Sequence, residues 1–506
     1  MFRFIDKQLN GVTMYRLILY YLMFLLGTAV LLSFAHLLPY DPFTLLFSIG
    51  FLVAVSGIAN RVFAWAYNVH TNVESVWISA LILGLILTPS TQPHDLIGMG
   101  WAAVLAMASK YILAINKKHI FNPVAMAVAI TAVTIDQTAS WWVGTAAMLP
   151  VVLIGGVLIV HKIQREDMVV AFLLTALTTS TLLSFGNGDD IMLTMQRTLL
   201  TSPLLFFAFV FLTEPLTTPP TRMLQIVYGL LVGVLFAPQV HFGGFYMTPE
   251  LALIAGNVFS YLVSPKTKLV LRLKNRIQIA PDAYDFIFAP QTKLSFAPGQ
   301  YMEWTLGHDD PDNRGVRRYF TLASSPTEPL LRVGVKFYDQ SSTYKHTLLT
   351  MDEKTEIVAA QIAGDFTLPH DATQKCVLIA GGIGITPFRS MIKFLLDTHQ
   401  RRSVVLLYSN RTADEIVYSD VFNAAQRQFG LRTVYTLTDP RQAPRDWTGK
   451  LGYIDEKMIR ETVPDYLVCQ FFISGPNQMV NAVSEALIKL GVNGEQIKTD
   501  YFPGLA

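Results

Sequence analysis

The stretch CVLIAGGIGITPFRSMIKFLL, residues 376–396, holds a strand, a turn and a helix in one line. Its unbroken apolar start fits a strand buried on both faces. The glycines at 381, 382 and 384 let a backbone pass close to a bound phosphate. Pro387 suits the first turn of a helix. The same rhythm returns in SVVLLYSN (403–410), RTVYTLTD (432–439) and FFISGPNQMVNAVSEALIKLG (471–491). Strands alternating with helices predict a doubly wound parallel sheet, so an α/β domain is placed at residues 373–506.

Upstream, LVLRLKNRIQIA (269–280), YDFIFAP (284–290), MEWTL (302–306) and LRVGVKFY (331–338) are short period-two runs cut by Pro, Asp and Gly. They predict an antiparallel β-barrel over residues 266–372. Before Ser264 the text changes again. Of the 506 residues 52% are hydrophobic, and nearly all of the excess over a soluble protein lies in this first half. About ten apolar runs are long enough to cross a bilayer, beginning near Tyr15, Pro42, Val76, Asp95, Ile120, Trp141, Met168, Arg197, Met223 and Tyr246. The expected fold class is multi-domain: an α-helical polytopic membrane domain of about ten spans at 1–265, then the antiparallel barrel, then the α/β domain.

Loop charges orient the membrane half. With the N-terminus inside, inner loops hold Arg3, Lys7, Arg16, Arg61, Lys117, Lys118, Lys162, Arg165, Arg222, Lys266 and Lys268. Outer loops hold Arg197 with Asp41, Asp95, Asp136, Asp189 and Asp190. Positive residues collect on the cytoplasmic side. The N-terminus and both later domains are therefore expected in the cytoplasm, on a bacterial-type cytoplasmic (inner) membrane. The first apolar run lacks a small-residue cleavage site and is expected to stay as an anchor. A net charge of +2 gives no footprint for nucleic acid. Cys376 and Cys469 are too few for a usual iron–sulfur cluster or Cys-rich zinc site. His36, His70, His94, His119, His161 and His241 fall at span ends or in loops, which argues against a transmembrane haem pair. No metal site is expected.

Two polar motifs interrupt the membrane text. KKHIFNPVA (117–125) sets Asn122 before Pro123, and FLTEPLTTPPTR (211–222) sets Glu214 before Pro215. Broken helix ends bare backbone groups that line cavities or polar ligands, and a carboxylate there needs a partner. With SALILGLILTPS (79–90) and ELALIAGNVFSYL (250–262), these motifs resemble the NqrB/RnfD family of membrane flavoprotein subunits. The resemblance covers roughly residues 15–265. It implies a flavin-carrying ten-helix domain that passes electrons into or across the bilayer. The family's Ser-Gly-Ala-Thr type site for covalent FMN is missing; TALTTSTLL (175–183) has threonines without the pattern. A membrane flavin, FMN or riboflavin, is then expected to be held non-covalently, with Asn122 and Glu214 as candidate ligands.

RRYFTLASSP (317–326), after FAPGQYMEW (296–304), resembles the FAD site of ferredoxin–NADP+ reductase-type flavoproteins, an Arg-x-Tyr-Ser/Thr strand after a Pro-Gly-Gln turn. Two registers fit: Arg317-x-Tyr319-Phe320 keeps the tyrosine, while Arg318-x-Phe320-Thr321 keeps the hydroxyl and is preferred. The resemblance implies that Arg318 forks onto the FAD pyrophosphate, that Phe320 or Tyr319 lies against the ring, and that Thr321 meets its reactive edge. Gln300 belongs to the turn. Ser341, Ser342 and Thr343 would bind phosphate at a helix start, and IAGDFTLP (362–369) matches the turn that closes the flavin domain.

On the nicotinamide side the resemblance implies Gly381, Gly382, Gly384, Thr386 and Pro387. It adds Ser474, Gly475, Pro476 and Met479, with Ser474 where a cysteine is frequent. Ser409 and Arg411 stand where a 2′-phosphate would sit, which leans toward NADPH without excluding NADH. Tyr501 and Phe502 are placed to cover the flavin. Catalytic roles fall to Thr321, Thr386 and Ser474.

The expected activity is a membrane-bound flavin oxidoreductase. It takes hydride from cytoplasmic NAD(P)H to FAD and passes electrons through a membrane flavin to an acceptor that is a flavin, a quinone or a redox protein. An alternative is an ion or small-molecule transport module with a redox-sensing reductase-like domain. A haem ferric reductase is the third reading.

Overall fold

A computed structural model of the chain describes residues 12, 14–67, 73–115, 118–264, 268–290, 293–308, 311–312, 316–338 and 341–500. The chain folds as two compact units, Met1–Ser264 and Pro265–Ala506.

The first unit is built from apolar helices. They are α1 (Met14–Phe34), α2 (Pro42–Tyr67), α3 (Val73–Ile86), α4 (Pro93–Ile112), α5 (Pro123–Ile135), α6 (Leu149–Ile163), α7 (Glu166–Asn187), α8 (Ile191–Leu200), α9 (Leu204–Phe206), α10 (Arg222–Phe236) and α11 (Pro249–Val263). The α9 turn runs on into a π-helical turn at Phe207–Phe211. Every apolar run named above meets one of these helices, yet spanning length is rarer. Among the described residues, α1, α2 and α7 are long and apolar enough to cross a membrane, and the pair 191–211, bent by 52°, makes a fourth. The count of about ten therefore rests on the number of helices, not on their length. Prolines start α5 and α11, and a helix of 13–15 residues rises only about 20 Å against a hydrocarbon core of about 30 Å.

The helices repeat. In α2–α5, a helix, a short helix, the break LTPSTQP, a third helix, the hairpin β1–β2 (Ala114–Ile115, Lys118–His119) and a proline-started helix follow in turn. In α7–α11 the same order returns around LTEPLTTPP and the hairpin β3–β4 (His241–Phe242, Phe245–Tyr246). The matched helices α5 and α11 run antiparallel. Asn122, the N-cap of α5, donates its N–H to Asn257 of α11, while Trp141, past the end of α5, donates to Glu250 in the first turn of α11. A repeated element order with its matched helices antiparallel is the arrangement of an inverted repeat. Packing follows membrane rules, in which small residues let helices meet closely. A Cβ on Gly229 or Gly233 of α10 would stand 2.5 Å from the Met168 carbonyl or 2.8 Å from that of Phe172 on α7.

The second unit has two sheets. Six antiparallel strands, β5 (Lys268–Ala280), β6 (Ala283–Ala289), β7 (Tyr301–Thr305), β8 (Arg317–Thr321), β9 (Leu331–Lys336) and β10 (Glu356–Ala363), pair in the order β8-β7-β10-β5-β6-β9. Register shifts near Leu273 and Gln278 bend the long β5. Leu271, Phe286, Phe288, Trp304 and Val333 fill the space inside the curve. Helix α12 (Thr343–Thr350) follows β9.

The second sheet is parallel throughout: β11 (Cys376–Gly381), β12 (Val404–Asn410), β13 (Arg432–Leu437), β14 (Lys450–Leu451), β15 (Gln470–Ser474) and β16 (Ile497–Asp500), in the order β14-β13-β12-β11-β15-β16. Strand order reverses between β11 and β15. Helices α13 (Thr386–Asp397) and α14 (Ser419–Phe429) cover one face. Helices α15 (Glu456–Thr462) and α16 (Asn477–Lys489) cover the other. Every residue of β11 and β12 is buried, as a doubly covered parallel sheet requires.

Candidate functional site

Open α/β sheets bind ligands beyond the carboxyl ends of their strands, where the strand order reverses. Here that point lies between Gly381, ending β11, and Ser474, ending β15. The two exits touch. A Cβ on Gly384 would stand 2.5 Å from the Ser474 carbonyl oxygen and 2.6 Å from Gly475 Cα, and one on Gly381 would stand 2.3 Å from Met479 Sδ. These two glycines are thus demanded by loop-to-loop contact before any ligand is considered. Gly382 has φ +53 and open space where its Cβ would be. Thr386 opens α13 with its hydroxyl donating to Ile383 O at 3.2 Å, and Pro387 is buried beside it.

Ser474 is buried and donates to Asp500 Oδ2 at 3.5 Å, its register partner across β15–β16. Asp500 is itself buried, and burial lifts its carboxyl to about 7. Reading the sequence did not pick out Asp500. Its signal was a lone acidic residue ending the strand before Tyr501. Phe502 and Tyr501 lie outside the described residues. Ser409 is buried at the end of β12, whereas the Arg411 side chain is 69% exposed and lies 3.7 Å from Glu415.

On the other sheet, β8 lies beside β7 with Trp304 opposite Arg318 and Tyr301 opposite Thr321. Strand alternation puts Arg318 and Phe320 on one face. Both meet Tyr344 of α12: the Arg318 guanidinium lies 4.9 Å from the ring centroid and the Phe320 ring 6.1 Å from it. Tyr319 points the other way, 41% exposed, and donates to Glu303. Thr321, 5% exposed, has a hydroxyl with no partner among the described residues.

At the start of α12, Ser342 caps Lys345 N–H, and the Thr343 hydroxyl accepts from Asp312 N–H at 2.9 Å. Asp312 in turn accepts from Thr343 N–H and lies 3.6 Å from Arg318. Ser341 exchanges bonds with Tyr338. Gln300 spends its amide on Ala297 N–H and Gly364 O, holding the Pro-Gly turn. The structure thus gathers Arg318, Phe320 and residues 341–343 around α12, with Thr321 at the strand's exit. A buried hydroxyl without a protein partner is the feature a ligand atom would complete, so these residues fit a flavin dinucleotide.

In the membrane unit the two proline-flanked motifs meet. Asn122 donates through Nδ2 to Glu214 Oε2 at 2.8 Å and accepts through Oδ1 from Val124 and Ala125 N–H. Thr217 also donates to Glu214, and Asn257 donates to Tyr228. Asn257 and Tyr228 complete the cluster and were not singled out from the sequence. A polar Asn inside the apolar run 250–262 was the available signal.

The strand order and the glycine crevice define a doubly wound α/β domain, which follows a unit of apolar helices in the chain. Residues 137–268 match the NQR2, RnfD, RnfE family, and residues 378–485 match the oxidoreductase NAD-binding domain. The chain thus carries an NQR2/RnfD/RnfE domain followed by an oxidoreductase NAD-binding domain. It is 30% identical to a stachydrine N-demethylase reductase subunit of Rhizobium meliloti, over 46% of this chain and 66% of that one. It is 29% identical to a glycine betaine monooxygenase reductase subunit of Chromohalobacter salexigens, over 42% of this chain and 58% of that one. The chain therefore spans less than two thirds of each relative. The crystal structure of an Amycolatopsis cytochrome P450 reductase aligns with TM-score 0.42 at 24% identity, over 47% of this chain and 71% of that one.

Proposed function

We propose that the protein is a membrane-bound flavin oxidoreductase. It takes hydride from cytoplasmic NAD(P)H at the crevice of residues 381–386 and 474–479. Electrons leave through a flavin domain in the membrane to an in-membrane or extracytoplasmic acceptor. One observation carries the reading: the Thr321 hydroxyl is buried and unpartnered on the strand that carries Arg318 and Phe320. Two relatives are the reductase subunits of a demethylase and of a monooxygenase, which supports delivery of electrons to a separate acceptor.

When bound, a flavin accepts the electron pair of a nicotinamide hydride and releases electrons singly. The chain's residues do the rest. Arg318 and the N–H groups opening α12 bind the pyrophosphate, with Asp312 leaving that seat. Phe320 would offer its ring to the flavin, and the Thr321 hydroxyl would supply a donor to it. The Gly382 turn admits the dinucleotide backbone, Thr386 borders the nicotinamide, and Ser474 orients its carboxamide side. The Asp500 carboxyl, lifted to about 7 by burial, is part-protonated near neutral pH beside Ser474.

In the membrane unit, Asn122 and Glu214 offer a donor and a carboxylate edge to a non-covalent FMN or riboflavin. With the bent pair of α8 and α9 taken as one, the helices make ten spans across a bacterial cytoplasmic membrane, and the second unit, with domains at 266–372 and 373–506, faces the cytoplasm. The test is anaerobic mixing of the purified full chain with NADH or NADPH, with its flavins identified by mass. Bleaching of bound FAD by either nucleotide is expected. A protein without flavin, or one that ignores both nucleotides, would overturn the reading.

A further inference from the structure

We infer that Arg389 is a positioning residue that sets the nicotinamide turn against the flavin strand. The inference rests on the proposed reductase reading and deepens it. Arg389 lies on the first turn of α13, three residues after Thr386, and is 4% exposed. It reaches out of the parallel sheet's layer into the turn that leaves β8. One guanidinium nitrogen donates to Ala323 O at 2.6 Å and to Glu328 Oε2 at 2.8 Å, and the other donates to Glu328 Oε1 at 3.0 Å.

Glu328 passes the hold on. Its Oε2 accepts Ser325 N–H at 2.7 Å, closing the turn at residues 325–328. Next along α13, Ser390 donates to Ser324 O. Ala323 stands two residues beyond Thr321. A single buried fork thus joins the loop at 382–386 to the strand end that bears the unpartnered hydroxyl. The layers are in contact here, because a Cβ on Gly334 of β9 would stand 2.7 Å from Thr386 Cγ2. Tyr418 covers another side of Arg389: its ring lies 5.4 Å from the guanidinium, and its hydroxyl donates to Asp285, which Arg332 also binds.

A planar fork fixes direction as well as distance, which a lysine at the same place cannot do. Hydride transfer depends steeply on reach, so loosening this junction costs rate more than nucleotide affinity.

The test uses the full chain in detergent with Arg389→Lys, Arg389→Met and Glu328→Gln. Lys375→Met, which breaks the exposed Lys375–Asp465 pair, serves as control. Two readouts are taken: the flavin bleaching rate against nucleotide concentration, and backbone hydrogen exchange without nucleotide. In Arg389→Lys the limiting rate should fall about 10- to 100-fold while the half-saturating nucleotide concentration moves less than about threefold. Exchange should rise together at 322–328 and 382–388 in all three variants and in neither segment of the control. An unchanged limiting rate in a folded Arg389→Lys, a change in half-saturation alone, or exchange rising in one segment only would overturn the inference. If the wild type itself ignores nucleotide, the reductase reading fails, while the paired exchange still decides whether the clamp exists.

Discussion

The two units solve the burial of polar groups in opposite ways. In the membrane unit the cluster at Asn122, Glu214, Thr217, Asn257 and Tyr228 uses mainly neutral donors around one carboxylate, and it forms where prolines break helices. In the second unit the groups that matter sit at strand ends. The largest buried charge, Arg389, is matched by a bidentate carboxylate. Removing a charge from water is costly unless its partner is fixed, and here the partner is fixed by the 325–328 turn, whose Ser325 N–H donates to Glu328. The comparison teaches that site geometry in this chain is set by backbone exits, helix ends in one unit and strand ends in the other, with side chains completing what those exits leave open.

The difference can be pressed by substitution. The largest effect is expected at Thr321. Thr321→Ala should slow flavin reduction about 10²-fold, as loss of one aimed donor does, with Thr321→Ser close to wild type in a stopped-flow trace. Gly384→Ala comes next. Its Cβ would meet the Ser474 carbonyl and Gly475 Cα at 2.5 and 2.6 Å, so the unit should lose about 1–3 kcal/mol of stability, read as a lower thermal midpoint together with weaker nucleotide binding.

Asn122→Ala should cost the membrane unit about 1–2 kcal/mol, the value of a helix cap. It should release any membrane flavin while FAD remains, which extraction of both flavins would show.

The smallest effect is a pH trend. Asp500 titrates near 7 in the fold against an ordinary 3.8. The folded state therefore binds its proton more tightly than the unfolded chain does. The stability this group contributes is fully present below about 3.8, is lost as pH rises toward 7, and stays level above that. Asp500→Asn should flatten this part of the melting profile between pH 4 and 8. Glu328 has the opposite sign: Arg389 beside it holds its carboxyl below the ordinary 4.5, so its contribution is present above that range and lost on acidification.

Much of the second unit was legible because its periods are clean. An apolar run, a glycine turn and a proline-led helix at 376–396 can be read locally, and β11 and α13 stand where that reading puts them. In the membrane unit the helix starts were legible from apolar runs, but the helix lengths were not: α3, α5 and α10 have 14, 13 and 15 residues, short of the roughly 20 that cross a bilayer.

Pairings across long separations were the hidden part. Asn122 meets Asn257 at a separation of 135 residues, and Arg389 meets Ala323 at 66. Nothing local in either stretch encodes its partner. Even Gly381 and Gly384, read as room for a phosphate, turn out to serve contact with the Ser474–Met479 turn. A sequence reports that a backbone must come close to something without saying to what.

One measurement bears on all of this most directly: rapid anaerobic mixing of the full chain, held in lipid nanodiscs, with NADH and with NADPH while flavin absorbance is followed. Two successive losses of colour are expected, the first from FAD in the second unit and the second from a flavin in the membrane unit, with the first slowed about 100-fold in Thr321→Ala. A colourless protein, or flavin that keeps its absorbance with both nucleotides, would contradict the proposal.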